Sequence, residues 1–303
     1  MIWFGRSLAA LTLAFGATLP LAGCSGISVY NEFAAQGDAG EVVVEDVAYG
    51  PDARQKADIF LPANADGAAP VIVFFYGGKW STGSKADYAF VGEAFSRRGF
   101  VTIVADYRLV PKVRYPAFVE DTAKAVAFAH RMAPRYGGDP QRLFLVGHSA
   151  GAYNAMMVTL APEFLAAEGL SPSVIKGLAA ISGPYDFKPL STNITLEAFA
   201  GTKDFAPTQP INRVTAESAT PPILLLQGSA DKLVRPRHAQ TMAEVLRQNG
   251  KQVETIYYKG AGHARPILAL GEPLQARLPI LDDIVSFFTR VAPQPVATAA
   301  IQG

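Results

Sequence analysis

The sequence predicts an α/β domain: a mostly parallel central sheet with helices on both faces and a small cap insertion. Three observations carry this. Mostly apolar runs at 71–75, 101–105, 143–146, 178–181 and 223–226, with a sixth, mixed run at 253–258, read as strands of a central parallel sheet. Each run is followed by Gly, Asp or Ser, so polar groups collect at the carboxyl ends of the strands. Between the runs lie stretches of helical period, and alternating strands and helices build a parallel sheet.

In chain order, Val42 to Val47 and Lys56 to Leu61 read as an antiparallel strand pair at one sheet edge. Val119, Ala123, Val126 and Ala127 form one helical stripe, with Gly137-Gly138 beyond its end. Gly151 to Leu160 is a small-residue helix, and Met242, Val245 and Leu246 form a further stripe closed by Asn249-Gly250. The insertion between Ile181 and Ile223 is broken by Pro184, Pro189, Gly201, Pro207 and Pro210, so it holds no long amphipathic helix. Its Phe187, Leu190, Ile194, Leu196, Phe199 and Phe205 are expected to form a small flap over a short pocket.

The ends of the chain read differently. One charged residue, Arg6, precedes an apolar run from Leu8 to Leu21, which is a signal-peptide pattern over residues 1–23. Leu21-Ala22-Gly23-Cys24 resembles the lipobox of bacterial lipoproteins, and Cys24 is the only cysteine. The resemblance implies lipidation at Cys24 and attachment to the bacterial cell envelope through a lipid anchor. Ser25 rather than Asp at the next position implies, by the same analogy, the outer membrane facing the periplasm. Residues 24–40 read as a flexible tether, 41–290 as the folded domain, and 291–303 as a disordered tail.

Composition excludes other classes. Half of the residues are hydrophobic, which suits a core-building chain. The 27 Lys+Arg against 26 Asp+Glu leave no excess of cations for nucleic acid. A single cysteine excludes an intramolecular disulfide and a cysteine-based zinc cage.

The chemistry-bearing pattern is Gly147-His148-Ser149-Ala150-Gly151, a G-x-S-x-G between a strand and a helix. A serine hydroxyl is a weak nucleophile and needs a base. Of the four histidines, His263 lies in the Gly-rich loop after the last strand, at the same sheet edge as Ser149. His148 adjoins Ser149 with its side chain directed elsewhere, and His130 and His238 read as structural. Asp231, after the penultimate strand, is the orienting carboxylate, with Asp186 as its rival. Gly78 and Lys79, in Tyr76-Gly77-Gly78-Lys79-Trp80, are expected to donate backbone N–H groups to an oxyanion together with Ala150. Trp80 and Tyr153 are the expected substrate-binding side chains.

The order Ser149, Asp231, His263, joined by Asp106-Tyr107-Arg108-Leu109, Pro111 and Tyr115-Pro116, resembles the carboxylesterase branch of the α/β-hydrolases over about residues 42 to 290. This is the hormone-sensitive-lipase-like and feruloyl/acetyl-esterase-like group. The resemblance implies a serine esterase acting on a small-molecule ester, with no metal or organic cofactor. It leaves the natural ester and the oligomeric state open. An arylformamidase or other amide hydrolase using the same triad is the second enzymatic reading. A catalytically silent lipoprotein binding module is the third, and Tyr76 supports it, because the family usually has His there. A tyrosine hydroxyl is expected to brace the loop with a longer reach.

Overall fold

The computed structural model describes residues 24–35, 42–63, 68–187 and 193–293. Eight strands form one sheet: β1 (Val42–Ala48), β2 (Lys56–Leu61), β3 (Ala69–Phe75), β4 (Val101–Ala105), β5 (Gly138–His148), β6 (Ile175–Ile181), β7 (Ile223–Gly228) and β8 (Val253–Tyr258). Their order is β1-β2-β4-β3-β5-β6-β7-β8. β2 is antiparallel to β1 and β4, and every other pair is parallel. All five residues of β4 and all six of β7 are buried, which requires cover on both faces.

Among the described residues, ten α-helices supply the cover and the loops: α1 (Cys24–Ala34), α2 (Ala89–Ser96), α3 (Ala117–Met132), α4 (Ala150–Leu160), α5 (Pro162–Ala166), α6 (Asn193–Ala198), α7 (Arg237–Gln248), α8 (Arg265–Leu268), α9 (Glu272–Gln275) and α10 (Ile280–Val291). α3 and α4 pack on each other, and α4 lies along β5 and β6. A cluster of Phe95, Phe100, Phe144 and Phe288 ties α2 and α10 to β5, with Phe144 stacked on Phe288 at 4.3 Å.

The chain direction across the sheet reverses at β3. From β3 it passes to β4 on one side and then returns to β5 on the other. Such a switch point opens a crevice at the carboxyl ends of the two strands. Register keeps those ends level, with Phe75 opposite Gly147, His148 opposite Ile181 and Gly228 opposite Tyr258.

The N-terminal reading needs correcting. Of the expected tether, residues 24–34 form α1, which is docked on the domain. Ile27, Tyr30 and Ala34 fall on one helical face against the core. The Tyr30 hydroxyl donates to the Leu268 carbonyl at 2.7 Å, and Asn31 donates to the Ala86 carbonyl at 2.9 Å and accepts from the Phe90 N–H at 3.1 Å. The small polar residues dominated the sequence reading and hid this apolar spacing. The signal peptide over 1–23, tether residues 36–40 and tail residues 294–303 lie outside the described residues.

In the insertion, α6 is a six-residue helix, and Phe199 is fully buried. Leu190 and the side chain of Ile194 lie outside the described residues.

Candidate active site

The site begins with a strained turn. β5 ends at His148, and Ser149 opens α4 with φ 53° and ψ −117°. A non-glycine residue held at positive φ carries a backbone cost that the surrounding packing must offset. Here the Ser149 N–H donates to the Ile181 carbonyl at 2.9 Å, which fixes the turn on β6. Gly151 makes the sharp return possible: a Cβ there would lie 2.0 Å from the Phe75 carbonyl oxygen.

Two further loops reach the same edge. After β7, the Ala230 N–H donates to the Ala261 carbonyl at 2.9 Å, and the Gly260 N–H donates to Ser229 Oγ at 2.9 Å. The loops after β7 and β8 are thereby tied together, and Asp231 lies beside His263. His263 Nδ1 is 2.8 Å from Asp231 Oδ2, and His263 Nε2 is 2.9 Å from Ser149 Oγ. A carboxylate only accepts, so Nδ1 carries the proton and Nε2 presents its lone pair to the serine.

Asp231 is held from every side. Oδ1 accepts from the N–H groups of Leu233 and Val234, both at 2.9 Å, and Oδ2 also accepts from Gln227 Nε2 at 3.1 Å. Burial raises its pKa, but the His263 contact and these N–H donors outweigh burial and hold the carboxyl below its usual range. The rival Asp186 makes no such contact; its backbone N–H donates to His238 Nδ1 at 3.4 Å.

The loop after β3 forms the opposite wall. Gly78, Lys79 and Trp80 all have positive φ. At Gly78 a Cβ would lie 2.0 Å from the Thr82 carbonyl oxygen, so only glycine fits. The Gly78 carbonyl accepts the N–H groups of Ser81 and Thr82, which fixes the loop in place. Gly78, Lys79 and Ser149 line one cavity, and Lys79, Ser149 and Ala150 line a second.

Tyr76 is fully buried beneath this loop. Its hydroxyl donates to Asp106 Oδ1 at 2.6 Å and accepts from the Arg54 guanidinium at 2.6 Å. Its ring is stacked between Tyr88 at 5.4 Å and Tyr107 at 4.9 Å, and the Tyr107 hydroxyl donates to the Tyr76 carbonyl at 2.9 Å. Arg108, next in the chain, grips the buried Asp121 with Nε at 2.8 Å and a terminal nitrogen at 2.7 Å.

The two substrate-binding expectations fare differently. Trp80 is 3% exposed and lines the second cavity, with its indole N–H donated to Asn154 Oδ1 at 2.9 Å. Tyr153 lines neither cavity. It is fully buried and stands behind Trp80 and Phe187, with its hydroxyl donated to the Thr208 carbonyl at 2.6 Å. Its position one turn after Ser149 puts it on the inward face of α4 rather than in the crevice.

Sequence reasoning missed three contributors. His148 Nε2 lies 3.4 Å from the His263 carbonyl oxygen and steadies the histidine loop; burial lowers its pKa to about 3, so it is neutral. Arg54 lies on a surface loop far from any motif. Gly26 and Ile27 of α1 line the first cavity with Tyr88, Leu233 and Leu268. Arg54 has no local sequence signal, because it acts through contacts distant in the chain, whereas α1 offers only the apolar spacing of Ile27, Tyr30 and Ala34.

Comparison with known proteins places the chain among esterases and related hydrolases by similarity. A family model described as BD-FAE matches residues 57–246, which takes in Ser149 and Asp231 and stops before His263. The chain is 32% identical over 260 residues to an isoprenylcysteine alpha-carbonyl methylesterase of Arabidopsis thaliana, covering 79% of this chain and 60% of that protein. It therefore spans less than two thirds of that relative's length. It is 30% identical over 246 residues to esterase LipC of Mycobacterium tuberculosis, covering 73% of this chain and 60% of that protein. Among solved structures, an inhibited esterase B from Lactobacillus rhamnosis superposes with a TM-score of 0.74 at 16% identity, covering 88% of this chain and 93% of that one. With the family match spanning residues 57–246 and the superposition covering most of the chain, the chain belongs to the BD-FAE family and has the α/β-hydrolase fold.

Proposed function

We propose that this protein is a carboxylic ester hydrolase that works through an acyl-enzyme on Ser149. The observation that carries the reading is the continuous relay from Ser149 Oγ through His263 to Asp231, at 2.9 and 2.8 Å. Ser149 Oγ attacks the ester carbonyl, and His263 Nε2 takes the hydroxyl proton. Charge moves onto the carbonyl oxygen, where the N–H groups of Gly78, Lys79 and Ala150 receive it. Collapse breaks the bond to the alcohol oxygen, and His263 returns the proton to it. Water then repeats the sequence and frees the acid. Nucleophile, base and charge stabilisation all come from the chain, so the mechanism calls for no cofactor.

Two finer statements belong to the same proposal. The acyl group is short: among the described residues the insertion brings Pro184, Phe187 and Thr195 of the small helix α6 to the crevice wall. The protein is anchored in the cell envelope by a lipid on Cys24, on the outer membrane facing the periplasm. The docking of α1 supports this: an anchor at its first residue would set the crevice, walled by Gly26 and Ile27, beside the membrane.

A fluorophosphonate probe tests the activity. Labelling of the wild type but not of Ser149→Ala is expected; no labelling of either returns the reading to a silent binding module. Intact mass of the mature protein tests the anchor, and a mass without acyl chains rules it out.

A further inference from the structure

The crevice at Ser149 has two arms of different character. The first, about 300 Å³, is lined by His263, the glycine loop and apolar groups including Ile27 and Leu268. The second, about 510 Å³, contains Ser149 and Ala150 but not His263. His263 must protonate the departing alcohol oxygen, so the alcohol occupies the arm that His263 lines. The acyl chain then occupies the second arm.

That second arm is lined by Lys79, Lys232, Arg235 and Arg237, and by no Asp or Glu. The chain as a whole is nearly neutral, with 27 basic and 26 acidic residues, so the cations here are a local segregation of charge. Among the described residues none of the four forms an ion pair, whereas Arg54, Lys85, Arg97, Arg98, Arg108 and Arg142 all do. Two carboxylates, Asp231 and Asp186, lie near the arm without lining it. Asp231 is buried and engaged with His263. Arg237 also opens α7, where a cation meets the positive end of the helix dipole. All four side chains are exposed, so water screens their mutual repulsion, and an anion entering the arm meets cations that no lining carboxylate opposes.

We propose that the acyl arm selects esters whose acyl chain ends in an anionic group, such as the monoester of a short dicarboxylic acid. The inference rests on the proposed esterase activity. Trp80 and Phe187 hold the methylene chain, and the Lys and Arg side chains receive the far carboxylate. The chemistry at Ser149 is unchanged: the alcohol leaves with the proton from His263, and water releases the diacid.

The test compares kcat/KM for three 4-nitrophenyl esters of equal chain length. These are the hexanoate, the mono-ester of adipate and the 6-(trimethylammonio)hexanoate. The adipate is expected to exceed the hexanoate by about tenfold or more at low ionic strength, with the ratio shrinking as salt screens the charges. The trimethylammonio ester is expected to be the poorest. In Arg235→Glu/Arg237→Glu the order of the two charged esters is expected to invert. A gain of that kind cannot come from misfolding. Equal rates on hexanoate and adipate, or an order that survives the charge reversal, overturn the inference alone. A preference for 3-carboxyphenyl butyrate over phenyl butyrate without a preference for adipate overturns the assignment of the arms. Failure to hydrolyse any ester, with no fluorophosphonate labelling, overturns the esterase reading beneath it.

Discussion

The Tyr76 hydroxyl donates to the Asp106 carboxylate at 2.6 Å, directly beneath the glycine loop that faces Ser149. Asp106 Oδ1 also accepts the Lys85 N–H at 2.7 Å, and Arg54 Nη2 reaches both Tyr76 and Asp106. The tyrosine at this position thus joins the loop after β3 to the loop after β4 through one buried carboxylate. Tyr76→Phe keeps the stacked ring and removes the hydroxyl, leaving Asp106 and Arg54 short of a partner. The expected loss is about 1–3 kcal/mol of stability. A fall in kcat of about tenfold or more is also expected if the loop supplies the proposed oxyanion donors, because such donors act mainly on the transition state. Unchanged kcat on 4-nitrophenyl butyrate would show that the brace is dispensable.

Ser149→Ala is expected to reduce hydrolysis to that of the buffer while leaving the thermal transition in place. Asp231→Asn is expected to lower kcat by about three to four orders of magnitude, because the amide no longer selects the reactive histidine tautomer. Asp186→Asn is the control, and a large loss there with little at Asp231 would reverse the assignment of the acid.

The neutral, buried His148 makes a pH prediction. Its pKa is lowered from 6.5 to about 3 in the folded state, chiefly by burial. Between these values the unfolded chain binds a proton that the folded chain does not, so stability falls as pH drops below 6.5 and levels off near 3. His238, lowered to about 4 by burial and by Arg237, acts in the same direction. Replacing His148 by Gln is expected to flatten the dependence between pH 6 and pH 4 by about 1.4 kcal/mol per pH unit. Urea unfolding at a series of pH values measures it; parallel curves for variant and wild type would mean that His148 is charged in the fold.

Ile27 of α1 provides a test of the first arm. Ile27→Trp narrows the space beside Leu268 and Tyr88. It is expected to lower kcat/KM for 1-naphthyl butyrate by about tenfold relative to methyl butyrate, on the scale of a few misfitting methylenes. A change in acyl-chain preference instead would place the acyl group in this arm.

The proposed short acyl preference predicts falling rates from 4-nitrophenyl butyrate to octanoate and palmitate, with no jump above the micelle concentration. A jump on aggregated palmitate would show that the segment around α6 moves as a lipase lid.

Much of this protein is legible in its sequence because the relevant signals are local. Apolar runs mark the strands buried on both faces, while the mixed run Val253–Tyr258 forms the edge strand β8, of which only Tyr258 is buried; the antiparallel pair β1 and β2 also falls where its pattern predicts. The strained turn at Ser149 needs small neighbours, and Gly147 and Gly151 announce it. The order Ser149, Asp231, His263 follows from which strand ends each residue occupies. Tertiary structure alone decided what depends on residues distant in the chain. Asp231 and Asp186 both follow strands, and only the tie between the loops after β7 and β8 brings one of them to His263. Tyr153 has the composition of a binding residue, yet the rotation of α4 turns it into the core. α1 reads as a tether until Ile27, Tyr30 and Ala34 meet the surface that they cover. The two arms and their unequal charge exist only because Lys79 of one loop faces Lys232, Arg235 and Arg237 of another across the crevice. A sequence pattern fixes periodicity and local backbone preference; which side chains converge across a cavity is set by how the packed sheet brings its loops together.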